Sequence, residues 1–163
     1  MALTLTSASF KDGDYLSNDH VLSAAYGFGC DGGNVSPQFS WTGVPAGAQS
    51  LALTCFDPDA PTGSGFWHWV MVNIPPDTTS LELGAGNPES GTLPPGTVQV
   101  RTDFGAPGYG GPCPPEGDHP HRYIFTLSAV SLAELPNISA AVVGFYLHFN
   151  TIEKASLMGL YKR

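Results

Sequence analysis

Residues 55–69 read CFDPDAPTGSGFWHW. The apolar run LALTCF (51–56) ends in DPDAP, which sets Asp57 and Asp59 beside prolines. A turn containing Gly63 and Gly65 follows, and a second apolar run, WHWVMVNI (67–74), opens with His68 between Trp67 and Trp69. Both runs are dense in β-branched and aromatic residues, and both are bounded by Gly, Pro, Asp or Asn, the punctuation of strands. A loop of about nine residues suits neighbouring antiparallel strands. That pairing places Asp57, at the end of one strand, and His68, at the start of the next, at the same end of a sheet. On a strict two-residue period His68 shares a face with Val70, Val72 and Ile74, and Trp67, Trp69 and Met71 take the other face.

Working outward, HRYIFTLSAV (121–130) is a third strong strand signal, TVQVRTDF (97–104) a shorter one, and LTLTSASF (3–10) alternates. Runs that are apolar on both faces indicate central, doubly covered strands. If the third run lies parallel to the second, His121 and Tyr123 join Asp57, Asp59 and His68 around one spot. Helix signals are confined to the C-terminal part. Ser139 is a candidate N-cap, followed by Val142, Phe145, Tyr146 and Phe149 at helical spacing. SLAELP (131–136) suits one helical turn, and the last residues, through Tyr161, are open to a return to strand. The stretches 84–96 and 105–121 are rich in Gly and Pro and read as long shaped loops, a common location for function. No linker divides the chain. The expectation is a mainly β single domain spanning 1–163.

Of the 163 residues, 42% are hydrophobic and 12% charged. That charged share is roughly half the usual one-quarter, so a convergence of carboxylates and imidazoles stands out. The net charge is −8, with only six Lys and Arg. There is no basic stripe for nucleic acid and no polybasic patch for a membrane surface. Cys30, Cys55 and Cys113 are odd in number and lack CxxC spacing, which reads as free thiols in a reducing compartment rather than a disulfide framework. The N-terminus lacks the charged and apolar regions of a signal peptide, and no apolar run reaches membrane-spanning length. These features together give an expectation of a cytoplasmic protein.

Taken singly, Asp57 and Asp59 are ordinary turn residues, and His68 and His121 are core histidines with satisfied nitrogens. Their coincidence at strand ends beside Gly/Pro loops favours a binding site. A phosphate-like anion is the first choice of guest. Gly108, Gly110 and Gly111 allow backbone N–H groups to turn inward as a nest. A carboxylate that holds one imidazole nitrogen raises the His pKa and presents the other nitrogen as a donor. Phe66, Pro112 and Pro115 would exclude water. A metal is the second reading, with HPH at 119–121 plus Asp57, Asp59 and His68 supplying ligand types, but without a spacing such as HExxH. Nucleophilic catalysis is the third: Ser64 sits in TGSGF, a loose match to GxSxG, and Cys113 has His119 or His121 as a candidate base.

Taken together, DPDAP (57–61) with HWVMVNIP (68–75), and GYGGPCPPEGDHPHRYIFTLSA (108–129), resemble the phosphatidylethanolamine-binding protein family, also called Raf kinase inhibitor-like proteins. NVSPQFSWTGVPAG (34–47) and VGFYLHFNTIEKASLMGLY (143–161) resemble its compact bacterial and archaeal branch. The resemblance covers nearly the whole chain. It implies two antiparallel β-sheets with a few short helices, including one near the C-terminus, and a small anion pocket at the sheet end. It also implies cis peptide bonds in the DPDAP stretch. Carried over residue by residue, the pocket would use Asp57, Asp59, His68, Gly111, Pro115, His121 and Tyr123, with Tyr109 nearby.

The functional expectation is a non-catalytic binding protein for phosphate-like anions, either phosphorylated head groups or phosphorylated side chains, that regulates a partner such as a kinase. Phosphate and phosphorylethanolamine are the ligands of first choice, with no cofactor, no metal, no nucleic acid and no integral membrane association. Two competing readings are a hydrolase built on the Asp/His cluster and a protease or kinase inhibitor acting through surface loops. The apolar area of Trp67, Trp69 and the aromatic C-terminal segment adds the expectation of a homodimer.

Overall fold

The structure is a computed structural model that describes residues 1–163. In chain order the elements are β1 (Thr4–Thr6), β2 (Phe39–Thr42), β3 (Ser50–Asp57), β4 (Phe66–Ile74), β5 (Ser80–Leu81), β6 (Val98–Gln99), β7 (His121–Val130), α1 (Ala140–Asn150) and β8 (Thr151–Tyr161), with single 3₁₀ turns at Asn18–His20 and Ala24–Tyr26. Two antiparallel sheets result, one of three strands in the order β1-β2-β5 and one of five in the order β6-β4-β3-β7-β8. The fold is therefore mainly β, with two sheets and few short helices, as the resemblance implied.

β3 is the centre of the larger sheet. Its burial is almost continuous, and it pairs antiparallel with β4 on one side and β7 on the other. β4 and β7 therefore run parallel to each other, and their starts lie at the end of the sheet where β3 finishes. Asp57, His68 and His121 are brought to one rim by this connectivity alone.

The main core fills the space between the sheets. Trp41, Phe39, Leu51, Leu53, Trp69, Met71, Phe125 and Leu127 pack there, with Phe39 and Phe125 ring centroids 5.0 Å apart. A second core lies on the other face of the large sheet, where Ala52, Val70, Val72 and Val130 meet Ala140 and Val143 of α1. Both faces of β3 and β4 are thus covered, which is why their sequences are apolar without alternation.

Two bulges in β4 overturn the expected face assignment. Cys55 pairs with Trp69 but Phe56 pairs with Trp67, so His68 is an extra residue without a direct partner. Likewise Leu51 pairs with Ile74 and Leu53 with Met71, with one residue in excess between them. An extra residue flips the alternation beyond it. Trp67 therefore packs with Val70 and Val72 on the α1 side, while Trp69, Met71 and Ile74 face the other sheet. His68 turns toward Tyr123 of the inter-sheet side, with ring centroids 5.1 Å apart. Asn73, at the second bulge, adopts φ 60°, a region Asn tolerates better than most residues, and its side-chain oxygen accepts from the Leu135 N–H at 2.8 Å.

Ser139 caps α1 as expected, accepting from the Val142 N–H at 3.2 Å. After α1 the chain does return to strand, but far earlier than its last few residues, since β8 pairs with β7 along its full length. SLAELP forms bends and not a helical turn, and TVQVRTDF yields only the two residues of β6.

Two expectations are corrected. Every peptide bond is trans, including those of DPDAP. Cys30 and Cys113 form a disulfide across 83 residues, and only Cys55 is free, buried in the core. The spacing concealed this pairing because the two half-cystines lie in loops that only the fold brings together. The premise of a reducing compartment falls with it. No helix is long and apolar enough to cross a membrane.

Candidate functional site

A cavity of about 150 Å3 opens at the rim where β3 ends and β4 and β7 begin. Asp57, His68, His121 and Tyr123 contribute its polar edge, and Pro115 lies at its mouth. Its walls are apolar, formed by Leu22, Phe28, Phe66, Phe104 and Pro114, with the Cys113 half of the disulfide between them. Phe104 stands edge-on to both Phe66 and His68, at 4.8 and 5.3 Å between centroids.

The hydrogen bonds fix the state of each imidazole. His68 Nδ1 lies 2.7 Å from the Gly110 carbonyl oxygen, an atom that can only accept, so Nδ1 carries the proton. Nε2 is left without a protein partner. His68 is buried, and this burial pushes its pKa below the ordinary imidazole value, although the Gly110 carbonyl and the charge of Asp57 pull the other way. At neutral pH the ring is uncharged and presents a lone pair at Nε2.

His121 is 1% exposed and engaged at both nitrogens. Nδ1 donates to Asp57 Oδ2 at 2.8 Å, and Nε2 donates to Asp118 Oδ2 at 2.7 Å. Burial opposes charging of the ring, but its hydrogen bonds to Asp118 and Asp57 outweigh that and raise its pKa. The same bond holds the Asp118 carboxyl below its usual range. Asp57 also accepts from the Asp59 N–H at 2.8 Å, which fixes the carboxylate at the start of its turn. The Tyr123 hydroxyl is held in its neutral form by burial, reinforced by the charge of Asp57.

Five of the eight expected pocket residues therefore converge on the cavity: Asp57, His68, Pro115, His121 and Tyr123. Asp59, Tyr109 and Gly111 do not line it. The Asp59 carboxylate is turned outward and takes three hydrogen bonds from Arg122, through its N–H, Nε and Nη2, which lowers its pKa to about 2. Tyr109 is buried behind the site, where its hydroxyl donates to the His20 carbonyl at 2.8 Å. The Gly-rich nest does not form as expected. The Gly111 N–H donates to Asn34 Oδ1 at 2.8 Å and the Gly110 N–H to the His68 carbonyl at 3.0 Å, so both donors are already used. Gly111 is required for another reason: a Cβ there would lie 2.1 Å from the His20 carbonyl oxygen. Pro112 likewise packs away from the cavity, its carbonyl accepting from the Leu22 N–H.

Sequence reading overlooked Asp118, the second carboxylate on His121. Its signal was its position three residues before His121 in the same loop, GDHPH. The aromatic wall from Phe28 and Phe104 carried no local signal, because those residues reach the site from distant loops.

Site and fold together define a β-sandwich with one small, apolar-walled pocket at the sheet end, edged by two imidazoles, a carboxylate and a phenol. The chain matches the family described as phosphatidylethanolamine-binding protein over residues 6–162. It is 48% identical to YbcL of Escherichia coli (strain K12) over 164 aligned positions, covering 99% of this chain and 88% of that protein. Its identity to YbhB of the same organism is 46%, covering 98% and 99% of the two chains. The crystal structure of E. coli YbcL, described as a new member of the mammalian PEBP family, superposes with a TM-score of 0.95 at 47% identity, covering 100% and 99% of the chains. The chain belongs to the phosphatidylethanolamine-binding protein family.

Proposed function

We propose that the cavity binds a small phosphate-like anion, free or at the tip of a phosphorylated head group or side chain, and that the protein is a binding module that does not turn its guest over. The observation that carries this reading is that His68 Nε2 and the Tyr123 hydroxyl are left unengaged at the same apolar-walled cavity. At about 150 Å3 the cavity is well below the roughly 300–1,000 Å3 of pockets for drug-sized ligands. It suits a tetrahedral oxyanion and has no room for acyl chains.

The protonation state of His68 shapes the guest. A neutral ring with its proton on Nδ1 accepts at Nε2, so it matches the P–OH of a partly protonated phosphate. Alternatively, it takes up a proton as the anion binds and becomes a donor. Either way one proton accompanies the anion, because Asp57 and Asp118 already hold negative charge beside His121. The Tyr123 hydroxyl donates to a second oxygen.

Two features weigh against the hydrolase reading. Of its two candidate nucleophiles, the Cys113 thiol is locked in the disulfide, and Ser64 does not line the cavity. The disulfide also favours a working location in an oxidising compartment.

The test is titration of the protein with inorganic phosphate and phosphorylethanolamine by calorimetry and by NMR of the histidine side chains. Affinity should rise as pH falls from 8 to 6, with net proton uptake on binding and a shifted His68 resonance. Binding that strengthens with rising pH, or an unperturbed His68 at saturation, would overturn the reading. Hydrolysis of a phosphoester, lost in His68→Ala, would replace it with the enzyme reading.

A further inference from the structure

The loop that enters β7 reads Asp118-His119-Pro120-His121, and three of its side chains do more than close the pocket. The ligand-capable atoms of Asp118, His119 and His121 lie within 4.8 Å of one another. The two imidazoles stack obliquely, with centroids 5.4 Å apart. Each has its Nδ1 committed to an acceptor: His121 Nδ1 to the Asp57 carboxylate at 2.8 Å, and His119 Nδ1 to the Pro120 carbonyl at 2.9 Å. That is the arrangement in which a histidine offers Nε2 to a metal, with the outer partner fixing the tautomer and raising the basicity of the ring. Asp57 is 2% exposed and is held in place by the Asp59 N–H, so the ring's orientation is built in.

We infer that Asp118, His119 and His121 form a site for a divalent transition metal of the zinc, nickel or copper class, at the outer edge of the pocket. Two imidazoles and one carboxylate are a donor set that holds Zn2+ with at least one coordination position open. Mixed nitrogen and oxygen donors suit these metals and not Mg2+ or Ca2+, which require oxygen ligands. Charge points the same way, since two carboxylates, Asp57 and Asp118, face the His121 ring from both of its nitrogens. A dication between Asp118 and His121 replaces the single proton that now bridges them at 2.7 Å. The expected ligands Asp59 and His68 take no part, because Arg122 engages the first and the second, with its Nδ1 on Gly110, lies outside the cluster.

This inference shares His121 with the anion reading and is tested separately from it, in the absence of phosphate. Untagged protein, stripped with a chelator and exchanged into phosphate-free buffer, is titrated with Zn2+ and Ni2+ by calorimetry, with Mg2+ as a control. One equivalent of Zn2+ or Ni2+ should bind with a micromolar or tighter Kd, and Mg2+ should not bind. His119→Ala, at an exposed position, should weaken Zn2+ at least tenfold, and Asp57→Asn, which removes no ligand, should weaken it about 10- to 100-fold. His148→Ala, on the exposed side of α1, should leave it unchanged. A zinc-soaked crystal should show the ion within bonding distance of His121 Nε2. Zn2+ binding no tighter than millimolar, or binding unaffected by His119→Ala and by Asp118→Ala, would overturn the assignment.

Discussion

At the scale of single residues, His121 is held by two carboxylates that work in opposite directions for a guest. Asp57 orients the ring from behind, whereas Asp118 covers the nitrogen that an incoming anion would use. In chelator-treated protein, Asp57→Asn should weaken phosphate binding even though it removes a negative charge. Asp118→Ala should tighten it by about tenfold, the equivalent of one charge-assisted hydrogen bond freed for the ligand. Calorimetric phosphate titrations of both variants check the pair, and equal effects of the two would contradict the division of roles. The same contacts set a pH dependence. His121 has a raised pKa, so its charged form contributes stability that is full below the ordinary imidazole value of about 6.5 and is lost as pH rises through the raised value. Asp118, with a lowered pKa, contributes above the ordinary carboxylate value of about 3.9 and loses its contribution as pH falls through the lowered one. His68, buried and neutral, acts against His121 and destabilises the fold as pH falls below its ordinary value. The unfolding free energy of His121→Gln relative to the unaltered protein should therefore differ most between about pH 4 and 6.5 and least in alkali, as read by denaturant titrations across that range.

At the scale of elements, β4 shows how one extra residue redirects chemistry. A regular strand would have turned His68 away from the inter-sheet side. The bulge between Trp67 and Trp69 instead aims it at Tyr123 and the cavity. The strand runs themselves were legible, β7 to the residue, because branched and aromatic side chains are bounded there by Gly and Pro. The bulges were not, because a two-residue period says nothing about where the partner strand lacks a residue. The helix was legible from its cap: Ser139 satisfies the Val142 N–H, and Ser139→Ala should cost about 1 kcal/mol of stability, seen as a shifted urea midpoint at unchanged slope. β8 was hidden since TIEKASLMGLY mixes charged and small residues, and its strand state follows from pairing with β7, to which Ala155, Leu157 and Tyr161 contribute apolar contacts.

At the scale of the whole molecule, the Cys30–Cys113 disulfide ties the loop that walls the pocket to the segment carrying Phe28. Closing a loop of 83 residues restricts the unfolded chain strongly, and removing a native disulfide typically costs about 2–5 kcal/mol. Reduction, or a Cys30→Ser/Cys113→Ser double variant, should lower the unfolding midpoint accordingly and weaken phosphate binding through a loosened wall. An unchanged midpoint would show that the bridge does not hold the loops.

The amino-acid sequence by itself determined the central strands β3, β4 and β7 and the four polar residues at their ends, Asp57, His68, His121 and Tyr123, because side-chain type and local punctuation act over a few residues. It also determined that Asp57 and His68 share a sheet end, since a short turn between two strands leaves them no other arrangement. Only the tertiary structure decided that Asp59 turns out to Arg122, that Gly111 spends its N–H on Asn34, that Asp118 caps His121, and that two distant cysteines meet. Three of those outcomes depend on a partner 63 or more residues away along the chain, brought within reach only when both sheets have packed, and the Asp118 contact depends on how the loop before β7 closes over His121.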